Sequence, residues 1–212
     1  MIRNHLNHKL FFLTKIFFIY LIISIKSYAG DSKTLDAFIV MGAYDAPVKI
    51  KIFSSLTCPH CANFHIKVVP EIKKNYVETG KVQLIFIDFP LDLAAFNASK
   101  ILHCLDQEKQ IPFLDTIYEN QQQWASGSDI NEINDNLKAM VDVLGISSKQ
   151  FNKCQNDEVI GDKILNNRIN GQQKYSINST PTIIINEKKL EGSVSFKNIK
   201  KKNRKTYLVH EI

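Results

Sequence analysis

In the stretch SSLTCPHCANFH, residues 54–65, Cys58 and Cys61 stand two residues apart with Pro59 and His60 between them. Thiols at this spacing support three chemistries: a redox dithiol, half of a metal site, or a structural bridge. Their placement separates these. The run PVKIKIFSS ahead of the pair alternates Val48, Ile50 and Ile52 with lysines, the pattern of a strand with one buried face. From Pro59 onward Phe64, Val68, Ile72 and Tyr76 recur at helical spacing, and Gly80 marks the stop. The pair therefore sits where a strand feeds a helix. There the partial positive charge and unpaired N–H groups of the helix N-terminus stabilise a thiolate at Cys58. Pro59 costs no hydrogen bond, because its missing N–H would be unpaired anyway. His60 adds a donor, and when protonated a charge, beside the same sulfur. Cys61, one turn in, is placed to attack a mixed disulfide at Cys58 and release the substrate. A stabilised thiolate favours the reduced form, so the pair is expected to be oxidising.

The two other chemistries have weaker support. Cys58, Cys61 and His65 fit C-x2-C-x3-H, half of a zinc site, but Cys104 and Cys154 are isolated and supply no second half. A purely structural Cys58–Cys61 bridge does not need the strand-to-helix junction that redox motifs require. No metal and no cofactor are expected. His65 and His103 lack a partner pattern and read as packed or surface histidines, and Phe64 and Trp124 read as core.

The elements that must position the pair can be followed further along the chain. VQLIFIDF, residues 82–89, is a near-continuous β-prone run, as expected of a buried parallel strand. Helical patterns then fill about eighty residues. Ala94, Ala98, Ile101 and Leu105 form one stripe, and Pro112 suits the first turn of a second helix through Trp124. Ile130, Ile133, Leu137, Val141 and Leu144 form a third, closed by Gly145; Ser147 with Gln150 starts a fourth as a capping box, and Val159, Ile160, Ile164 and Leu165 mark a fifth. PTIIINEKKLEG, residues 181–192, reads as a hairpin turning at Asn186–Glu187. The expected division is a signal peptide over 1–29, a core domain from 30–92 and 176–212, and an all-helical insertion over 93–175.

The N-terminus points to export. Arg3 and Lys9 precede the apolar run IFFIYLIISI, and Ser27-Tyr28-Ala29 is a small-x-small cleavage pattern before Gly30. The apolar core is about half of the roughly 20 residues that a spanning helix needs, which favours a cleaved signal over a retained anchor. No other segment could span a membrane. The chain has 27 basic and 21 acidic residues, a net charge of +6. Loss of Arg3, Lys9, Lys15 and Lys26 with the signal leaves 23 against 21. Six of those 23 (Lys197, Lys200, Lys201, Lys202, Arg204 and Lys205) lie in one C-terminal run. A general nucleic-acid surface is not indicated.

Taken together, Cys58-Pro59-His60-Cys61 after a strand, a helical insertion after the next strand, and Ser179-Thr180-Pro181-Thr182 before a closing hairpin resemble the DsbA-like thioredoxin-fold disulfide oxidoreductases. The resemblance covers about residues 38–192. It implies an α/β thioredoxin fold, a redox pair at Cys58 and Cys61 tuned by Pro59 and His60, and a cis Pro181 that turns the Thr180 backbone toward Cys58 to position an extended substrate. It further implies oxidation of cysteines in exported polypeptides in the periplasm, and reoxidation by a membrane quinone-linked partner. An isomerase or reductase on the same scaffold, and a catalytically idle binding module, are the alternatives.

Three departures from the family stand out. Thioredoxin relatives often carry a buried acid six residues before the first active cysteine, where this chain has Ile52. The usual C-terminal helix is poorly matched after Phe196. No dimerisation domain precedes the fold, which favours a monomeric oxidase. Relatives with the same extra cysteines suggest a Cys104–Cys154 disulfide stapling the first helix of the insertion to the fourth. Two buried free thiols are the alternative.

Overall fold

A computed structural model describes residues 38–202. The expected signal peptide and the last ten residues, with Arg204 and Lys205, lie outside the described residues. The strands and helices are β1 (Ile39–Met41), β2 (Val48–Ser54), α1 (Pro59–Lys67), α2 (Val69–Ile72), β3 (Val82–Asp88), α3 (Leu93–Cys104), α4 (Gln107–Glu119), α5 (Gln121–Trp124), α6 (Ile130–Val143), α7 (Ser148–Gln155), α8 (Glu158–Tyr175), β4 (Thr182–Ile185) and β5 (Lys188–Lys189).

The sheet runs β1-β3-β2-β4-β5, with β2 parallel to β3 and the other pairs antiparallel. Alternation sorts its side chains onto two faces. Val48, Ile50, Ile52, Leu84, Phe86, Ile183 and Ile185 join the larger core under α1, α3 and α4, with Phe64 and Trp124 buried in it. Phe53, Ile85, Ile87, Phe89 and Ile184 form a smaller core on the other face with Ile177 and Tyr175. Burial on both faces explains why β3 shows no polar alternation. Helix α8 lies close over the second face: a Cβ on Gly171 would stand 2.6 Å from the Phe53 ring. The fold is a thioredoxin fold with an all-helical segment, α3 to α8, between β3 and β4.

Several local expectations are revised. The edge strand β1, three residues long, offers too short a pattern to be read from sequence. The helix after Cys58 is not continuous. It pauses before α2, where Pro70 removes a backbone donor, and ends as a π-helical turn over Lys73–Val77. Pro112 falls inside α4, not in its first turn, because the helix begins five residues earlier at Gln107. Of the stripe on α8, Ile164 is fully buried and Ile160 partly so, whereas Val159 and Leu165 are exposed. The β4–β5 turn does lie at Asn186–Glu187, both at positive φ (42° and 65°), as a tight hairpin demands. After Phe196 the chain is helical through residue 202, with Ile199 fully buried and Phe196 against Tyr76. One well-placed isoleucine anchors a helix whose apolar stripe is otherwise thin.

Candidate active site

Strand β2 ends at Ser54, and a short loop delivers Cys58 as the N-cap of α1 with Pro59 following it. The Cys58 backbone oxygen accepts from Cys61 N at 3.0 Å and Ala62 N at 3.1 Å, which sets the first turn. Cys58 keeps 7 % of its surface while Cys61 keeps none, and neither is in a disulfide in this structure. Pro59 and His60 are exposed on the rim of the same turn. The Thr180–Pro181 peptide bond is cis, and the Cys58 thiol donates to the Thr180 carbonyl at 3.4 Å. The Thr180 hydroxyl is buried with no well-formed partner among the described residues, yet lies close enough to Cys61 to favour its thiolate.

The two sulfurs differ chemically. Burial pushes the Cys61 thiol up to about 12; the Thr180 side chain and the Ser55 backbone work against that rise, and the neighbouring Cys58 adds to it. Cys61 therefore holds its proton at neutral pH.

The loop that carries Cys58 is held by side chains that periodicity does not reveal. Buried Gln121 donates from Nε2 to the carbonyls of Leu56 and Cys58. The Tyr118 hydroxyl donates to the Ser55 carbonyl at 3.5 Å, and Thr57 donates to Asp92 at 2.7 Å. Asp92 also caps α3 through Ala95 N, a role that an Asp ahead of an Ala-rich helical run advertises. Gln121 sits in a run of three glutamines and gives no such signal.

His65 and His103 are both packed, each against a carboxylate. His65 Nε2 meets Asp115 at 2.6 Å, its ring 4.8 Å from that of Tyr118, and His103 Nε2 meets Asp88 at 2.5 Å. Among the described residues, no three His, Cys, Asp or Glu side chains gather as a metal site. Ile52 is buried in the apolar core, and the acid on this face is Asp88, one strand over. Cys104 and Cys154 are bonded to each other, Cα atoms 5.7 Å apart, joining α3 to α7.

Comparison with known proteins agrees with this arrangement. The family described as Thioredoxin matches residues 34–202. A "Probable disulfide bond formation protein D" of Bacillus cereus is 31% identical over 155 residues, 69% of this chain and 68% of that protein. The crystal structure of Wolbachia pipientis alpha-DsbA1 superposes with a TM-score of 0.71 at 30% identity, covering 80% of this chain and 90% of that one. BdbD of Bacillus subtilis, at 22% identity and a TM-score of 0.67 over 81% of this chain and 94% of that one, shares the fold. The chain belongs to the thioredoxin family and, within it, to the DsbA-like protein-disulfide oxidoreductases.

Proposed function

We propose that the protein is an exported, periplasmic thiol oxidase that introduces disulfide bonds into cysteine-containing polypeptides. DsbA-like proteins act on such substrates by thiol–disulfide exchange and are reoxidised by a partner; the direction of electron flow and the roles of individual residues are this reading's own. Cys58 is the nucleophilic position and Cys61 the resolving one. In the disulfide state of the pair, a substrate thiolate attacks Cys58 Sγ. The Cys58–Cys61 bond breaks, and Cys61 takes the electron pair and a proton. A second substrate thiolate then attacks the mixed disulfide, the substrate leaves oxidised, and Cys58 departs as a thiolate. The dithiol, reduced by two electrons, is returned to the disulfide by a membrane quinone-linked partner. Pro59 and His60 tune the pair, Thr180 and Pro181 position the substrate backbone, and the protein works as a monomer.

The observation that carries this reading is the asymmetry of the pair. One sulfur lies at a helix N-terminus with surface left to meet a substrate, and the other is sealed and protonated. The test is the Cys58/Cys61 reduction potential, measured by equilibrium with glutathione. A value near that of DsbA, about −120 mV, supports the oxidase, and one near that of thioredoxin, about −270 mV, replaces it with a reductase.

A further inference from the structure

The β4–β5 turn breaks a local rule at Glu187. Ile185 pairs with Lys188, so only Asn186 and Glu187 form the turn, and both lie at positive φ (42° and 65°). Such a turn favours asparagine followed by glycine, because most side chains are strained at the second position. Asn186 meets the first preference and docks the turn onto β2: its N–H donates to the Lys49 carbonyl at 3.0 Å, and its Oδ1 accepts from Lys49 N at 2.8 Å. Glu187 stands where glycine would be at ease. A residue kept against such a preference points to a use for its side chain.

The Glu187 carboxylate ties the turn to β2 and to the end of α8. Oε1 accepts from Lys51 on β2, and Oε2 accepts from Lys174 Nζ and from the Tyr175 hydroxyl, each at 2.6 Å. Lys51 Nζ also donates to that hydroxyl at 3.1 Å. Burial works to raise the carboxyl, but Lys174, Lys51 and Tyr175 outweigh it and hold it down to about 2, so it is charged at neutral pH. Lys174 and Tyr175 close α8, and from them the chain runs through Ser176 to Thr180 and Pro181 and enters β4 at Thr182. This connecting segment is held along its course. Lys189 on β5 donates to the Ser176 carbonyl at 3.1 Å, Ile177 is buried, and the Thr182 hydroxyl donates to the Ser179 carbonyl at 2.7 Å. Glu187 and Lys189, both beyond β4, thus fasten the start of a segment whose far end, the Thr180 carbonyl, meets the Cys58 thiol at 3.4 Å.

We propose that Glu187 is a positioning residue for polypeptide substrates: by fastening the end of α8 to the β4–β5 turn it fixes the course of residues 176–181, and with it the place of the Thr180 backbone beside Cys58. The inference rests on the reading of Thr180 and Pro181 as the segment that positions an extended substrate. Glu187 touches no substrate and takes no part in the exchange of electrons or protons. A substrate backbone gains most from partners already in place, so a looser segment weakens capture of a polypeptide and leaves the sulfur chemistry alone. A thiol too small to lie along the segment is indifferent to Glu187. The side chains of Lys174 and Glu187 keep 62 % and 52 % of their surface, and ion pairs so exposed contribute little to stability. Positioning and support of the fold can therefore be separated by removing the carboxylate.

The decisive variant is Glu187→Gly, which removes the carboxylate and gives the turn the residue its φ favours. Oxidation of a two-cysteine peptide without charged side chains is followed with oxidised glutathione regenerating the disulfide, alongside reduction of the oxidised protein by dithiothreitol. The variant's KM for the peptide should rise about threefold or more at unchanged kcat, the signature of lost substrate binding. Its rate with dithiothreitol should match that of the unsubstituted protein, and its midpoint of thermal unfolding should be equal or higher. Tyr175→Phe, which removes a donor on the α8 side, should also raise KM, and should add nothing further to Glu187→Gly; it decides the matter if Glu187→Gly does not fold. An unchanged KM, or peptide and dithiothreitol rates that fall together, overturns the positioning role. The same peptide methylated at the backbone nitrogens flanking its first cysteine tests the reading beneath it. If the unsubstituted protein takes that peptide with no rise in KM, the backbone role of Thr180 and Pro181 is overturned instead.

Discussion

The side-chain amide of Gln121, at the start of α5, donates to the carbonyl of Leu56 at 2.7 Å and to that of Cys58 at 3.2 Å. A residue from the helical insertion thus satisfies two backbone oxygens of the loop that presents the first sulfur. Gln121→Leu keeps the volume and strands both acceptors. The expected loss is about 1–3 kcal/mol in urea unfolding, the usual cost of buried unpaired polar groups. A change below about 0.5 kcal/mol, the range of ordinary surface substitutions, would show that the loop re-pairs without it.

Because burial raises the Cys61 thiol from about 9 to about 12, the folded reduced protein holds a proton that the unfolded chain releases across that interval. The unfolded state then binds fewer protons, so stability falls as pH rises, by at most about 1.4 kcal/mol per pH unit from this one group. Unfolding of the reduced protein at pH 8 and pH 10 should show the decline, and Cys61→Ser should remove that part of it. Equal slopes in the two proteins would mean that Cys61 titrates like a free thiol.

The Cys104–Cys154 bond closes a sequence separation of 50 residues and ties α3 to α7. In the chain-entropy account, a loop of this length stabilises the fold by about 4 kcal/mol, less any strain. Replacing both cysteines by alanine should lower the midpoint of thermal unfolding, which calorimetry would read. A thiol count on denatured protein, after selective reduction of Cys58 and Cys61, should find two thiols; four would contradict the bond.

His60 stands exposed on the first turn of α1, next to the reactive pair. As a donor or cation it favours the reduced form, so His60→Ala should be a weaker oxidant, with the glutathione equilibrium moved toward the disulfide. An equilibrium left where it was would assign the potential to the helix terminus and its surroundings alone.

The main frame of this fold was readable before any coordinates. The alternation in β2, the apolar run of β3, the buried stripe of Ala94, Ala98 and Ile101 on α3 and the Asn186–Glu187 turn are local signals, and each lies where its period places it. What stayed hidden depends on pairs distant in sequence. His103 gave no partner pattern because its carboxylate is 15 residues back, on another element. Gln121 reaches 63 residues to Cys58, and Tyr118 reaches 63 to Ser55. Asp88 closes a strand that is apolar but for Gln83, and nothing in the local pattern marks either polar side chain as buried. Pro112 misled because proline is commonest in a first turn, whereas α4 accommodates it further in.

The sheet ends on one side in β5, two lysines long, and on the other in β1, three residues long. A free strand edge presents unpaired backbone groups to which another extended backbone can add as a new ladder. Borders this short offer only a few hydrogen bonds, and the lysines place charge where an incoming apolar segment would lie. The same few residues leave little margin onto which a further extended strand could add, so the sheet is closed off by brevity and charge at both of its described borders.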